Sequence, residues 1–262
     1  MRAITEDTRV HMLKEQFVPD TVFMYVSKGA LQTYDGNKRM IFRAGEYGMA
    51  QKNRLVKYEL VDNGASFEPV IFCFGESFLQ AFKNKHQIEA KRNPFRDTFI
   101  RIPSTPLINS FMDSIKPYYK GVMELEEEFE DLKYEELLII LLKERPELAE
   151  VLFDFRKPGK IDLEKFMIKN FTFNVNMDQF ATLTGRSLSA FKRDFKEIFG
   201  ESPSRWLVRK RLTEAYFLID KKSKKPNDIY LDLGFESLSH FSVAFKRQFG
   251  QTPTQLAMDN NI

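Results

Sequence analysis

Apolar residues in the first third of the chain alternate with polar residues or form short runs. VFMYV from Val22 and PVIFCF from Pro69 are such runs, and turn-forming residues interrupt the pattern at Asp35-Gly36-Asn37 and Asp62-Asn63-Gly64. Side chains alternate between the two faces of a strand, and turns of this composition join strands into hairpins. The pattern therefore predicts a small β-sandwich or barrel between Thr21 and about Phe74.

The spacing of apolar residues becomes helical after Phe78 and is regular again from about Pro106. The segment Glu124–Glu144 combines strong helix formers with apolar positions at helical spacing, which predicts a long helix. Its apolar positions are Leu125, Phe129, Leu132 and Leu137–Leu142. They cover more surface than one stripe, so the helix either packs on the β domain or contributes to a two-fold interface with a second copy.

Two similar segments stand 50 residues apart near the end of the chain, SLSAFKRDFKEIFGESP from Ser187 and SLSHFSVAFKRQFGQTP from Ser237. On a helical wheel, each segment collects its large apolar residues on one face and most of its polar residues on the other. The apolar faces consist of Leu188, Phe191, Phe195, Ile198 and Phe199 in the first copy and of Leu238, Phe241, Phe245 and Phe249 in the second. Gly200 and Gly250 follow, and glycine suits the left-handed residue that ends a helix.

Short helical patterns precede both segments and end in turns that contain Gly185 and Gly234. A short helix, a glycine turn and a second helix together form the helix-turn-helix pattern. Between the two copies, Pro203–Lys221 is predicted to be one helix of about 19 residues, or roughly 28 Å at about 1.5 Å per residue. One turn of B-DNA is about 34 Å long, so two units on this spacer would reach successive major-groove segments.

Charge is unevenly distributed along the chain. Residues 157–262 hold 18 Lys and Arg against 12 Asp and Glu, a net charge of +6, and the whole chain has +3, which leaves −3 for residues 1–156. A basic half joined to a mildly acidic half indicates a polyanion as the partner of the basic half. Lys157-Pro158-Gly159-Lys160 has the composition of a linker between the two halves.

The numbers and positions of cysteine and histidine indicate the cellular compartment and the kinds of metal or catalytic site to expect. Cys73 is the only cysteine, which excludes an internal disulfide and is consistent with a reducing compartment. No apolar run reaches the roughly 18 to 20 residues of a membrane span, and no secretion signal begins the chain. The expected location is the cytoplasm, with no membrane partner. Because His11, His86 and His240 have no paired spacing and no nucleotide-binding or hydrolase motif occurs, we expect no metal, no cofactor and no enzyme activity.

Residues from about Asp162 to Ala257 resemble the DNA-binding domain of the AraC/XylS family of bacterial transcription regulators. The resemblance rests on LTGRSLSAFKRDFKEIFGESPSRWLVRKRLTEAYFLI and on DIYLDLGFESLSHFSVAFKRQFGQTP. It implies an α+β multidomain fold whose residues 157–262 form an all-α tandem helix-turn-helix domain. Residues 1–103 would form a cupin-like sensing domain, a β-sandwich or barrel, and residues 104–156 a helical dimerisation segment, as in the activators of type III secretion.

The resemblance also implies residues for DNA contact, carried over position by position. Base contacts would come from Ser189, Lys192 and Arg193 in the first copy and from Ser239, His240, Ser242 and Val243 in the second. Many family members have an arginine where this chain has Val243, which can touch a thymine methyl but donates no hydrogen bond, so we expect the first copy to dominate base readout. Phosphate contacts would come from Lys196, Lys246 and Arg247. Tyr230 stands where the family usually has alanine.

The function implied by the resemblance is sequence-specific regulation of transcription, most simply activation. A homodimer would bind double-stranded DNA and contact RNA polymerase. A small molecule or a protein would control it through the N-terminal half. Alternating strand residues Met24, Phe42 and Tyr58 would line a ligand pocket there or serve simply as core. Two other classes remain open, a single-stranded nucleic-acid-binding protein with exposed rings and a cupin-type enzyme with clustered metal ligands.

Overall fold

A computed structural model describes residues 16–61, 67–89, 97–118 and 127–259, without the side chains of residues 127 and 128. The chain divides into two compact units, Met1–Arg156 and Lys157–Ile262. The predicted turn at residues 62–64, His11 and Leu125 lie outside the described residues. Within the described ranges, no helix has the length and apolar character needed to cross a membrane.

The first unit is rich in antiparallel strands. The strands are β1 Phe17–Val18, β2 Thr21–Lys28, β3 Ala30–Tyr34, β4 Arg39–Arg43, β5 Tyr47–Ala50, β6 Arg54–Leu55, β7 Lys57–Leu60, β8 Glu68–Phe74 and β9 Phe99–Ile102. A four-stranded sheet has the order β8-β2-β5-β9, a three-stranded sheet has the order β4-β3-β7, and β1 pairs with β6. The β-rich fold predicted for this half is confirmed.

One apolar core joins the two larger sheets. Met24 and Phe42 are buried in it, and Tyr58 is half-buried against it. The ring of Phe42 lies 5.9 Å from the ring of Phe99, centroid to centroid. Gly48 makes room for this packing, because a Cβ at that position would lie 2.6 Å from Cε1 of Phe42. The three predicted pocket residues are therefore packed core side chains in this structure.

A second core lies on the other face of the four-stranded sheet, beneath helices α1 Glu76–Lys85, α2 Pro106–Ile115, α3 Glu127–Glu144 and α4 Ala149–Leu152. Helix α2 begins at Pro106 after Thr105, whose side chain accepts a hydrogen bond from the backbone N–H of Ile108. Helix α3 buries Tyr134, Leu137, Leu138 and Leu141 in this core. The packing of the long helix on the β domain is thus observed.

The second unit is helical. Its helices are α5 Leu163–Asn170, α6 Met177–Leu183, α7 Leu188–Phe199, α8 Pro203–Lys222, α9 Pro226–Ile229, α10 Leu238–Phe249 and α11 Pro253–Asp259. Helices α6 and α7 form the first helix-turn-helix unit, and α9 and α10 belong to the second. Helix α8 has 20 residues and is about 30 Å long at about 1.5 Å per residue. The predicted all-α tandem helix-turn-helix fold is confirmed.

Candidate nucleic-acid interface

Helices α7 and α10, called here the repeat helices, begin and end in the same way. Ser187 accepts a hydrogen bond from the backbone N–H of Ala190 at 3.3 Å, and Ser237 accepts one from His240 at 3.2 Å. Serine is favoured at this position because its oxygen satisfies a free backbone N–H of the first turn. Both helices end at a left-handed glycine, with φ of 74° at Gly200 and 78° at Gly250. The repeat in sequence therefore encodes two complete helices with identical boundaries.

The apolar face of each repeat helix is buried. Phe191 and Phe195 of α7 and Phe241 and Phe245 of α10 are fully enclosed. The Phe195 ring centroid lies 5.6 Å from that of Trp206 on α8. These rings hold each helix against the interior, so its opposite face is turned to solvent.

The expected place of Ile198 in the buried face of α7 is wrong, because this side chain is exposed. Phe195 and Phe199 both pack against Trp206, edge-to-face and tilted respectively, with centroid distances of 5.6 and 4.7 Å. This contact moves the centre of the buried face toward Phe199. Ile198 lies on the other side of Phe191 on the helical wheel and falls beyond the edge of the packed region.

The predicted base-contact and phosphate-contact residues lie mainly on the exposed faces of the repeat helices. The exposed ones are Ser189, Lys192, Arg193 and Lys196 on α7 and Ser239, His240, Val243, Lys246 and Arg247 on α10. Ser242 is half-buried. Val243 is 70% exposed, which is high for an apolar side chain. The structure thus makes these residues accessible, and their individual roles on DNA stay predictions.

A charged network connects α7 to the turn before it. Arg186 Nε donates to Asp194 Oδ2 at 3.0 Å, and Arg186 Nη1 donates to the carbonyl oxygens of Thr184 and Ile161. Arg193 Nη2 contacts Asp194 Oδ1 at 3.1 Å, and Lys160 Nζ lies 3.4 Å from Asp194 Oδ2. Hydrogen bonds from these cations, first of all from Arg186, hold the pKa of Asp194 below its usual value. Arg186 and Lys160 thus give Asp194 two cationic partners besides Arg193.

Arg211 of α8 is a buried cation that the sequence analysis missed. Its guanidinium donates to the carbonyl oxygens of Phe171 and Phe173, both at 2.7 Å, and of Gly234 at 2.8 Å. Burial lowers the pKa of Arg211 to about 10, so the group remains cationic at neutral pH. Helical spacing was the available signal, because Arg211 lies four residues after Leu207 and four before Ala215, which are both buried.

Tyr230 is half-buried and packs against the apolar core around Phe241 and Phe245. The second unit therefore accommodates a ring, with part of it exposed, where the family usually has alanine.

Of the three histidines, His240 lies on α10 with its ring centroid 5.8 Å from that of Phe235. Among the described residues, no group of three or more His, Cys, Asp and Glu side chains is arranged to hold a metal ion.

Comparison with known proteins identifies both halves of the chain. The family described as ExsA N-terminal regulatory domain matches residues 21–151, and the family described as helix-turn-helix domain matches residues 180–258. The chain is 26% identical over 219 residues to the HTH-type transcriptional regulator ExsA of Pseudomonas aeruginosa, covering 82% of this chain and 75% of that protein.

Further relatives share shorter or more distant similarity. The chain is 34% identical over 93 residues to the virulence regulon transcriptional activator VirF of Yersinia enterocolitica, covering 36% of this chain and 34% of VirF. Among solved structures, apo ToxT from Vibrio cholerae aligns with a TM-score of 0.42 at 16% identity, covering 94% of this chain and 91% of ToxT. The matches of the two family models, one in each half, show that the chain belongs to the AraC family of DNA-binding transcription regulators, with an ExsA-type N-terminal regulatory domain.

Proposed function

We propose that the chain activates transcription by placing its two repeat helices in successive major-groove segments of one DNA duplex. The observation that carries the proposal is the shared construction of α7 and α10, each with a buried phenylalanine face and an exposed polar face. Helix α8, about 30 Å long, is close to the roughly 34 Å repeat of B-DNA, and tilt or DNA bending would supply the remainder.

The base contacts we propose are those of Ser189, Lys192 and Arg193 in the first unit and of Ser239, His240, Ser242 and Val243 in the second. Arg193 is suited to guanine, because a guanidinium donates to O6 and N7 together. Its side chain is 75% exposed, and the ion pair with Asp194 that it would leave is a surface pair of little energetic weight. Lys196, Lys246 and Arg247 would bind phosphates, which position the protein without reading sequence.

Replacement of Arg193 and of Lys246 by alanine is expected to have different effects on DNA binding. Arg193→Ala should relax preference at one base pair, with a loss of about 1 to 3 kcal/mol on the preferred duplex only. Lys246→Ala should weaken all duplexes about equally and lower the salt dependence of log K by about one. Fluorescence anisotropy with the preferred duplex and single-base variants, at several salt concentrations, measures both effects.

Arg209→Lys is a suitable control for that experiment, because the substitution keeps the positive charge. Arg209 lies on α8 rather than on a repeat helix and pairs with Glu201 at 2.7 Å. The variant should bind like the parent. The proposal is wrong if the Arg193 and Lys246 variants both keep the affinity and selectivity of the parent.

The same titration with single-stranded DNA and RNA tests the alternative function, binding of single-stranded nucleic acid. Stacking on single strands requires exposed rings, whereas Phe191, Phe195, Phe241 and Phe245 are enclosed.

Regulation is proposed to act through the N-terminal half. The match to a regulatory domain supports control by a small molecule or a protein, and contact with RNA polymerase would explain activation. A pocket at Met24, Phe42 and Tyr58 stays a prediction, and a ligand there would have to displace packed side chains. The relatives named above are transcriptional regulators, which is the basis for proposing no enzyme activity.

A homodimer is proposed to form through α3, the helix of the segment predicted for dimerisation. Phe129, Leu132 and Ile139 are exposed on this helix and are three and seven residues apart, so they form one apolar stripe. Such a stripe is the kind of surface that an isologous two-fold interface buries. The stripe lies on the part of α3 that the core does not use.

Leu132→Glu is expected to convert the dimer to a monomer. Leu132 is 61% exposed, so the substitution should leave the fold intact while placing two like charges near each other in the interface. Sedimentation velocity should show the mass of one chain for the variant and of two for the parent. Ile168→Glu, on the exposed surface of α5, is the control and should remain dimeric. Equal masses for the parent and Leu132→Glu would contradict the assignment of the interface.

A further inference from the structure

We propose that Arg211 fixes the orientation of the second helix-turn-helix unit relative to the first and thereby sets the number of base pairs between the two DNA segments that are read. The inference about DNA rests on the proposed function. The part that concerns the protein alone, a fixed orientation of the two units, follows from contacts of Arg211 and is tested without DNA.

The side chain of Arg211 connects two segments that are far apart in sequence. Nε donates to the carbonyl oxygen of Phe171 and Nη2 to that of Phe173, and both residues follow α5 in the first half of the domain. Nη1 donates to the carbonyl oxygen of Gly234, in the turn before α10. One guanidinium thus joins the first half of the domain, the spacer helix α8 and the second unit.

The chemistry of arginine suits this position. Three N–H groups of a rigid planar fork point to three carbonyl oxygens, a geometry that the single ammonium of lysine cannot reproduce. Only 7% of Arg211 is exposed, so water competes little for these bonds. The group is cationic at neutral pH, which strengthens hydrogen bonds to carbonyl oxygens.

Gly234 permits the close approach. Its φ is +85°, and a Cβ at this position would lie 2.8 Å from Cζ of Arg211 and 2.8 Å from the carbonyl oxygen of Thr172. A second link between the halves lies nearby, where Asn174 Nδ2 donates to Glu236 Oε1 at 3.2 Å. The turn of the second unit is therefore held directly against the segment that follows α5.

Each unit has apolar contacts that do not involve Arg211. In the first unit, Phe195 packs with Phe191 and with Trp206. In the second, Phe241 and Phe245 belong to one apolar core with Leu212 and Ala215. Folding of each unit therefore depends mainly on its rings. What Arg211 adds is a polar connection between the units, which restricts their relative rotation.

The first test measures the distance between the repeat helices by pulsed electron paramagnetic resonance. Nitroxide labels are placed at Ser189→Cys and Ser239→Cys in a Cys73→Ser background, and labelled chain is diluted with excess unlabelled chain so that distances within one chain dominate. We expect a narrow distribution in the parent and one at least twice as broad in Arg211→Lys. Arg209→Lys, one half-turn away on the exposed side of α8, should be as narrow as the parent.

Three results would overturn the orientation role of Arg211. These are a broad distribution in the parent, equal widths in the parent and in Arg211→Lys, and an equal broadening in Arg209→Lys. The fluorescence of Trp206 reports whether each variant is folded. A broad distribution in the parent overturns the role even where Arg211→Lys does not fold.

The second test links this orientation to DNA. The probe is a duplex selected from a random-sequence pool by the parent, with the two protected segments located by footprinting. Inserting two base pairs between them rotates one segment by about 70° relative to the other. The parent should lose at least 30-fold in affinity, and Arg211→Lys less than fivefold. An equal loss of affinity in the parent and in Arg211→Lys overturns the role of Arg211 in spacing. If the parent selects no duplex, the proposed function is contradicted, and the spin-label distances alone decide the orientation role of Arg211.

Discussion

Replacement of Phe195 by alanine should destabilise the first helix-turn-helix unit by about 3 to 5 kcal/mol. Phe195 is fully buried, and its ring lies between those of Phe191 and Phe199, with centroid distances of 5.6 and 4.4 Å. Alanine would leave a cavity at the point where α7 packs on Trp206 of α8. Urea unfolding measures the loss, because Trp206 is the only tryptophan and its emission reports this region.

Phe217→Ala is the matched control for this substitution. Phe217 lies on α8 with its side chain exposed, so removal of its ring should change stability by about 0.5 kcal/mol or less. DNA binding should fall in the Phe195 variant at temperatures where the Trp206 signal shows unfolding. A loss of less than about 1 kcal/mol for Phe195→Ala would show that the repeat helix is held mainly by other contacts.

Gly185→Ala is expected to destabilise the same unit by about 3 kcal/mol or more, whereas Gly200→Ala should cost only about 1 kcal/mol. Both glycines are left-handed, with φ of 67° and 74°, so both substitutions carry similar backbone strain. They differ in their surroundings. A Cβ at residue 185 would overlap the backbone of Gly159 and lie 2.5 Å from Lys160 N, whereas a Cβ at residue 200 meets no atom within 4 Å.

Urea unfolding followed by Trp206 emission gives the loss of stability in each variant. Because the backbone strain is similar in both, the difference between the two losses measures the cost of the overlap at residue 185. The residues after Gly159 are held against this turn, because Ile161 N donates to Thr184 O and Arg186 Nη1 donates to Ile161 O. Movement of residues 159–161 would therefore disturb these bonds as well. Equal losses of stability in the two variants would show that residues 159–161 move away from the new Cβ at no energetic cost.

Much of the fold follows from local patterns. The repeat helices were predicted from phenylalanine spacing and terminal glycines, which are properties of a single helix. The strands between residues 21 and 74 were predicted from alternation and turns, and Asp35 in the first turn accepts hydrogen bonds from the N–H groups of Asn37 and Lys38. Strand β9, Phe99–Ile102, was missed because four residues without a turn signal have no periodicity, and it exists as a strand by pairing with β5.

The candidate site was predicted in part for the same reason. Exposure of Ser189, Arg193 and Lys246 follows from their wheel positions opposite the phenylalanines. Ile198 was misplaced, because the centre of a buried face depends on its partner, here Trp206. Ser187 and Ser237 were not recognised as helix caps, although a serine immediately before a helical pattern is a known starting signal.

Local sequence patterns are sufficient to predict the number, glycine ends and exposed faces of the repeat helices and the stiff spacer between them, because these features depend on residues within a few positions of one another. How the two units are joined depends instead on contacts between residues that are distant in sequence. Helical spacing between Leu207 and Ala215 places Arg211 on the buried face of α8, but it does not identify the partners of this cation. Those partners are the carbonyl oxygens of Phe171, Phe173 and Gly234. Such contacts between distant segments leave no periodic trace in the chain, since they depend on where the backbone passes rather than on which side chains it carries.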